Sequence, residues 1–270
     1  MNILFCGDKG VCKGVFLSTL SIYKNTSENL EIYILTASIG KYTAIPESFA
    51  KKLQSAVLDE NRDNKVILLD ISDIFAGYLP TANMGTRFTP LCTLRLFADM
   101  LPDIPDRILY LDTDVLCRRD FSDLYHSVIS DIEIAGVPDR YGKWFFGNIF
   151  KHDYLNSGVL LMNMANIRRS GLFKKCREMC RDKKMFMPDQ SALNKLAVKR
   201  KVPVCYNEQG KIKKNTVFKH FTTFFKFFPY VRAVTVKPWD IEKVHDELKI
   251  FEFDDILQEL KRSKTNDENN

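Results

Sequence analysis

Along the first two-thirds of the chain, apolar runs of strand length alternate with stretches of helical period. The strand-like runs are 3–6, 31–36, 65–69 and 107–111, and helical patterns fall between them at about 13–23, 49–56 and 93–100. Strands separated by helices pair through crossovers, so the pattern predicts a largely parallel sheet covered on both faces. Two further apolar runs, 132–137 and 157–162, precede a helix at about 171–181. Another helix is predicted after Pro188, with Asp189 in its first turn. Beyond Asn207 the chain turns basic and aromatic. Phe218, Phe221, Phe224, Phe225, Phe227 and Phe228 crowd together there, a density that suits packing against the main body. An amphipathic stretch runs through Ile256, Leu257 and Leu260, and the polar residues 263–270 read as a disordered tail. No repeat or linker divides the chain.

Composition narrows this picture. With 270 residues, 45% of them hydrophobic, the chain can bury one large α/β core with at most a small appendage. No apolar stretch has the length of a membrane span, and the N-terminus lacks the basic and small-residue regions of a secretory signal. The seven cysteines are odd in number, irregularly spaced and without a C-x-x-C pair. A disulfide framework or zinc ribbon is therefore not expected, and a reducing cytosol suits them better. The net charge of +6 is unevenly spread: Lys195, Lys199, Arg200, Lys201, Lys211, Lys213, Lys214, Lys219 and Lys226 share one stretch. Such a run is either a solvated face or a positive field for phosphates, on a substrate or an anionic membrane surface. No nucleic-acid-binding motif accompanies it.

The candidate chemistry centres on Asp112-Thr113-Asp114, which closes the apolar run Ile108-Leu109-Tyr110-Leu111. Ligands of open parallel sheets bind beyond the carboxyl ends of strands. Two carboxylates one residue apart in that position reach a single hard cation such as Mg²⁺ or Mn²⁺, which commonly bridges to phosphates. A pair of turn or capping aspartates would leave the same trace. So would the D-x-D nucleophile motif of haloacid-dehalogenase-type phosphohydrolases, although that motif sits near the N-terminus and needs a second acidic pair. Here Asp254-Asp255 falls in a predicted C-terminal helix. Asp8 ends the first strand, and Gly7, Gly10 and Gly14 permit close backbone approach without matching a dinucleotide or P-loop spacing. Asn156, in the polar loop before the 157–162 run, has the chemistry to bond sugar hydroxyls.

Seven segments taken in order carry a resemblance: Phe5-Cys6-Gly7-Asp8, Arg95-Leu96, Leu109 to Leu116 around the aspartate pair, Tyr154 to Asn163, Pro188-Asp189-Gln190-Ser191-Ala192-Leu193-Asn194, His220-Phe221 and Lys237-Pro238-Trp239. Together they resemble glycosyltransferase family 8, which includes bacterial lipopolysaccharide glucosyl- and galactosyltransferases and the glycogenins. The resemblance implies a GT-A fold: a single Rossmann-like, mostly parallel sheet flanked by helices, with a small C-terminal extension. It implies a catalytic domain over 1–240 and an amphipathic helix and tail over 241–270. The implied activity is retaining transfer of galactose or glucose from UDP-galactose or UDP-glucose to a glycan acceptor of lipopolysaccharide or another surface polysaccharide. The implied cofactor is Mn²⁺, with Mg²⁺ as the alternative.

Carried over by position, Asp112, Asp114 and His220 are the expected metal ligands, and an imidazole favours Mn²⁺. Gln190 and Asp189 are the expected catalytic pair. Asp8, Arg95, Asp112, Thr113, Asp139, Asn156 and Lys237 are the expected donor-binding residues, with Lys237 on the diphosphate and Asp8 on uracil. The expected acceptor is an oligosaccharide or a lipid-linked glycan, and the expected location is the cytoplasm or the inner face of an anionic membrane, with no nucleic-acid partner. Three features depart from the family pattern. Val11 stands where an aromatic residue usually stacks on the base. Seventeen positions separate His220 from Lys237, with Phe-rich sequence between them. The chain also ends soon after Trp239, without a long basic tail. A non-catalytic nucleotide-sugar-binding protein and a phosphohydrolase remain as alternative readings.

Overall fold

A computed structural model describes residues 1–59, 62–85, 89–142, 153–226 and 232–260. The expected tail at 263–270, together with Phe227 and Phe228 of the aromatic run, lies outside the described residues.

Four parallel strands form one half of the main sheet: β1 (Asn2–Cys6), β2 (Glu31–Thr36), β3 (Lys65–Asp70) and β4 (Arg107–Leu111). β1 pairs with β2 on one side and β4 on the other, while β3 lies outside β2. Beyond β4 the sheet continues. The short strand β5 (Val115–Cys117) leaves it, and β6 (Ile134–Pro138), β7 (Leu155–Asn163) and β8 (Lys199–Lys201) complete the order β3-β2-β1-β4-β7-β6-β8. β7 runs antiparallel to both β4 and β6, whereas β8 is parallel to β6. The expectation of a mostly parallel sheet holds, with β7 the reversed strand. An apolar run such as 157–162 carries no sign of its direction, so the sequence could not mark that reversal.

Side chains alternate faces along each strand. Ile3 and Phe5 of β1, with Leu109 and Leu111 of β4, enter one core with the helix Cys12–Lys24. Leu4, Ile108 and Tyr110 enter the other core, against the helix Leu172–Asp182 and the segment Pro90–Met100. Both faces being covered explains why these strands read as continuous apolar runs. The predicted helix at 93–100 is a 3₁₀ helix, Pro90–Met100. The helix expected from 171 begins at Leu172, because Gly171 takes a left-handed φ of 67° to join it to the helix Met164–Ser170.

The C-terminal part supplies three more strands. β9 (Phe218–His220) pairs antiparallel with β5, and β10 (Phe224–Lys226) pairs with β11 (Arg232–Val234) as a separate two-stranded ribbon. The long spacing between His220 and Lys237 is accounted for by that ribbon. The helix Ile241–Leu248, the turn at Phe253 and the helical residues 254–260 lay Val244, Phe253, Ile256, Leu257 and Leu260 onto the same core as β1 and β4. Among the described residues, no helix is long and apolar enough to cross a membrane.

Candidate active site

The chain order of neighbours reverses between β1 and β4, and a crevice opens beyond their carboxyl ends. A cavity of about 460 Å³ occupies it. Asp8, Arg95, Asp112, Thr113, Asp114, Asp139, Asn156, Asp189, Gln190, His220 and Lys237 all line this one cavity, although they come from every part of the chain.

On one wall, β5 follows directly on the Asp112-Thr113-Asp114 turn and pairs with β9, with Val115 opposite His220. That pairing carries the buried imidazole to the aspartates. His220 Nε2 lies 3.2 Å from Asp114 Oδ1 and 3.7 Å from Asp112 Oδ2. The other carboxylate oxygens are already engaged. Asp112 Oδ1 accepts from Tyr110 Oη at 2.7 Å and from Arg95 Nη2 at 3.0 Å, and Asp114 Oδ2 accepts from Lys237 Nζ at 2.5 Å. The atoms left over are thus two carboxylate oxygens and one imidazole nitrogen, with potential ligand atoms of all three residues within 4.8 Å of one another. Oxygen with one imidazole is a donor set suited to a divalent ion such as Mn²⁺. Burial pushes the Asp114 carboxyl up, but the facing His220 and Lys237 outweigh it and hold the group well below the usual carboxylate range.

Glycine makes this closeness attainable. A Cβ on Gly158 of β7 would lie 2.2 Å from His220 Cε1 and 2.9 Å from Asp112 Oδ2. A Cβ on Gly14 would lie 2.3 Å from the carbonyl oxygen of Thr113. The helix Cys12–Lys24 can therefore rest directly on the aspartate turn.

A second group, adjoining the aspartates, is built around Arg95, which is 5% exposed. Its guanidinium stacks 3.8 Å from the Tyr110 ring centre and donates to the Ser157 carbonyl at 2.6 Å. Its Nε stands 3.2 Å from Asp189 Oδ2, an ion pair rather than an aligned hydrogen bond. Arg95 thus links the two acidic centres, Asp112 and Asp189. Asp189 is in the first turn of the helix Pro188–Leu196, as the proline predicted. Burial pushes its carboxyl up, opposed by Arg95. Gln190 is held at both ends. Its Oε1 accepts from Ser157 N at 2.9 Å, and its Nε2 donates to Asp139 Oδ2 at 3.2 Å. Asn156 Nδ2 donates to the same oxygen at 2.9 Å. Asp8 caps the 3₁₀ turn Lys9–Val11 by accepting from Gly10 N at 3.0 Å, while still lining the cavity beside Val11.

Tyr110 and Ser157 also line the cavity, although the sequence assigns them no role, and the buried Asn207 lies behind it against His220. In the sequence Tyr110 is one residue of the apolar run before the aspartate pair. Its hydroxyl lies at the strand end, where the sheet meets the cavity. The acidic pair Asp254-Asp255 does not line the cavity: Asp254 pairs with His245 and Asp255 with Lys24. The phosphohydrolase reading thereby loses its second acidic station.

The model of glycosyl transferase family 8 matches residues 2–242. The chain belongs to this family. The family-8 chain is 25% identical over 293 residues to lipopolysaccharide 1,2-glucosyltransferase of Escherichia coli K12, covering 94% of this chain and 83% of that protein. Among solved structures, it resembles the galactosyltransferase LgtC in complex with donor and acceptor sugar analogues. The TM-score is 0.70 at 21% identity, over 97% of this chain and 96% of that one. The glycosyltransferase GlyE of Streptococcus pneumoniae TIGR4 has a TM-score of 0.64 at 18% identity, over 96% of this chain and 63% of that one. At such identities the structures speak for the fold, which is GT-A. The family-8 chain is accordingly a glycosyltransferase, with two aspartates and a histidine grouped as a divalent metal would require.

Proposed function

We propose that this enzyme transfers a hexose, glucose or galactose, from its UDP-sugar to a glycan acceptor in the synthesis of lipopolysaccharide or another surface polysaccharide, with retention of anomeric configuration. The observation that carries the reading is a division of labour inside one cavity. Asp112, Asp114, His220 and Lys237 form one contiguous group, and Asp139, Asn156 and Gln190, with Asp189, form a second, the two joined through Arg95. The first group matches a diphosphate with its cation, and the second matches a hexose with its hydroxyls. The glucosyl- and galactosyltransferase names of the relatives agree with the choice of hexose.

Asp112, Asp114 and His220 would hold Mn²⁺, with Mg²⁺ as the weaker alternative. Such an ion supplies Lewis-acid stabilisation of the charge that grows on departing UDP. Lys237 adds a cation to that same charge, from its position on Asp114. Asp8 and the adjoining backbone would receive the uridine, where Val11 offers an aliphatic wall in place of an aromatic stack. Asn156 and Asp139 would bond sugar hydroxyls. Arg95 keeps Asp189 paired, so the sugar side carries one buried carboxylate balanced by one guanidinium.

Gln190 bears on the stereochemistry. Its carbonyl oxygen is committed to Ser157 N, and its amide nitrogen to Asp139. An amide is a weak nucleophile, and this one is held on both sides. Retention then follows from attack by the acceptor hydroxyl on the face that UDP leaves, with the departing phosphate oxygen taking the proton. Gln190 lines the oxocarbenium-like anomeric centre rather than bonding to it. The reaction is assigned to the cytosolic side, where the seven free cysteines stay reduced, with a lipid-linked acceptor presented at the membrane face.

The test is UDP release from UDP-galactose, UDP-glucose and UDP-N-acetylglucosamine with Mn²⁺, then with chelator. Manganese-dependent release from one of the two hexose donors supports the reading. Hydrolysis of simple phosphate esters without UDP-sugar turnover would overturn it.

A further inference from the structure

Behind the cavity runs a chain of hydrogen bonds between side chains, and its direction can be deduced atom by atom. The backbone N–H of Gly158 can only donate, and it meets Asn156 Oδ1 at 3.0 Å. That fixes the Asn156 amide, whose nitrogen donates to the Asp139 carboxylate at 2.9 Å. Asn207 Nδ2 then donates to Asn156 Oδ1, also at 2.9 Å. With its nitrogen so used, Asn207 turns its oxygen to His220 Nδ1, 3.0 Å away. An amide oxygen accepts and never donates. The hydrogen of that contact therefore belongs to the histidine, and the other nitrogen, Nε2, faces Asp114 and Asp112.

We infer that Asn207 is a positioning residue that holds His220 with Nδ1–H toward the interior and Nε2 toward the aspartate pair. The assignment rests on the reading that Asp112, Asp114 and His220 bind a divalent cation. Asn207 has 0% exposure and does not line the cavity, so it acts on a ligand only through its neighbours. It sits on the 3₁₀ turn Val204–Asn207, and His220 N donates to the carbonyl of the adjacent Glu208 at 3.1 Å. Ring and backbone of His220 are thus held by the same short segment. The line ends on Asp139 Oδ2, which also accepts from Gln190. One carboxylate therefore orients the amide on the sugar side and, through two asparagines, the imidazole on the metal side. A partner of this kind fixes the tautomer of a metal-binding histidine, and its loss typically weakens metal affinity by about 10- to 100-fold.

The test is Mn²⁺ titration of the full chain, with free ion counted by electron paramagnetic resonance and histidine coordination read from the ¹⁴N modulation of the bound ion. Asn207→Leu should weaken Mn²⁺ binding by about 10- to 100-fold and remove the nitrogen signal. Asn207→Asp, which keeps an acceptor oxygen against Nδ1–H, should retain the signal. In a His220→Ala background, Asn207→Leu should bring no further loss, because its effect passes through the imidazole. A folded Asn207→Leu with wild-type affinity and nitrogen signal would overturn the inference. Loss of the signal in Asn207→Asp, or a further loss in the His220→Ala background, would do the same. Absence of Mn²⁺ binding by the wild-type chain would instead sink the metal assignment itself, a result distinct from either.

Discussion

Adding one methyl group at Gly158 tests the site at its tightest point. In Gly158→Ala the new Cβ would sit 2.2 Å from His220 Cε1, 2.6 Å from His220 Nδ1 and 2.9 Å from Asp112 Oδ2. Carbon atoms rest about 3.5–4.0 Å apart, so the imidazole must retreat by more than about 1 Å. The strand cannot give way instead, because the Gly158 carbonyl accepts from Asp112 N at 2.8 Å and β7 is paired on both sides. The ring cannot simply swing away either, since Nδ1 is held by Asn207. Overpacking of this kind costs about 1–3 kcal/mol of stability, and misplacing a catalytic group by about 1 Å costs about 100-fold in rate. The expected outcome is a folded protein, with its urea midpoint lowered accordingly, whose Mn²⁺-dependent kcat/KM falls by about 100-fold or more. Because both displaced groups are proposed metal ligands, the Mn²⁺ concentration needed for half-maximal activity should rise as well. A folded Gly158→Ala enzyme within threefold of wild type in kcat/KM and in Mn²⁺ requirement would refute the packing argument and the ligand assignment together.

Other substitutions probe the charged groups around the cavity. Lys237→Met should lower kcat/KM by about 100- to 1,000-fold, the usual cost of removing one group that stabilises developing charge, and Mn²⁺ binding measured by calorimetry should survive. Arg95→Lys leaves one ammonium to serve Asp112, Asp189 and the Ser157 carbonyl. One ammonium cannot reach both carboxylates as the guanidinium does, so a buried charge loses its counter-ion and urea unfolding should register a loss of about 3 kcal/mol. For Asp114 the folded-state pKa lies below the unfolded value of about 3.9, so its ionic stabilisation is full near neutrality and declines as pH falls below about 4. In chelator, the stability advantage of wild type over Asp114→Asn should therefore be smaller at pH 3 than at pH 7. A difference that stays constant across that range would contradict the assigned environment.

Local pattern was enough for the frame. Runs of apolar residues with polar breaks located β1 to β4 and their helices, because strands such as β1 and β4, covered on both faces, leave an unbroken apolar signature and a helix leaves its own period. Pro188 marked the start of a helix, with Asp189 in its first turn. The aspartate pair was legible because it follows a strand, and strand ends are where such sheets bind ligands.

Other features depended on contacts distant in sequence. The reversed direction of β7 is set by its partners, and an apolar run has no polarity. His220 reaches the aspartates because β9 pairs with β5, a register between segments about a hundred residues apart that no local pattern encodes. The ribbon β10–β11 takes up the intervening residues, and so returns Lys237 to Asp114 despite the long spacing. Asn207 is the extreme case: a lone asparagine in a basic stretch has no periodicity or motif to mark it. Its importance arises only when folding removes it from water and leaves its two amide atoms one partner each. A buried amide must satisfy both ends, and that requirement, which exists only in the folded chain, orients the histidine.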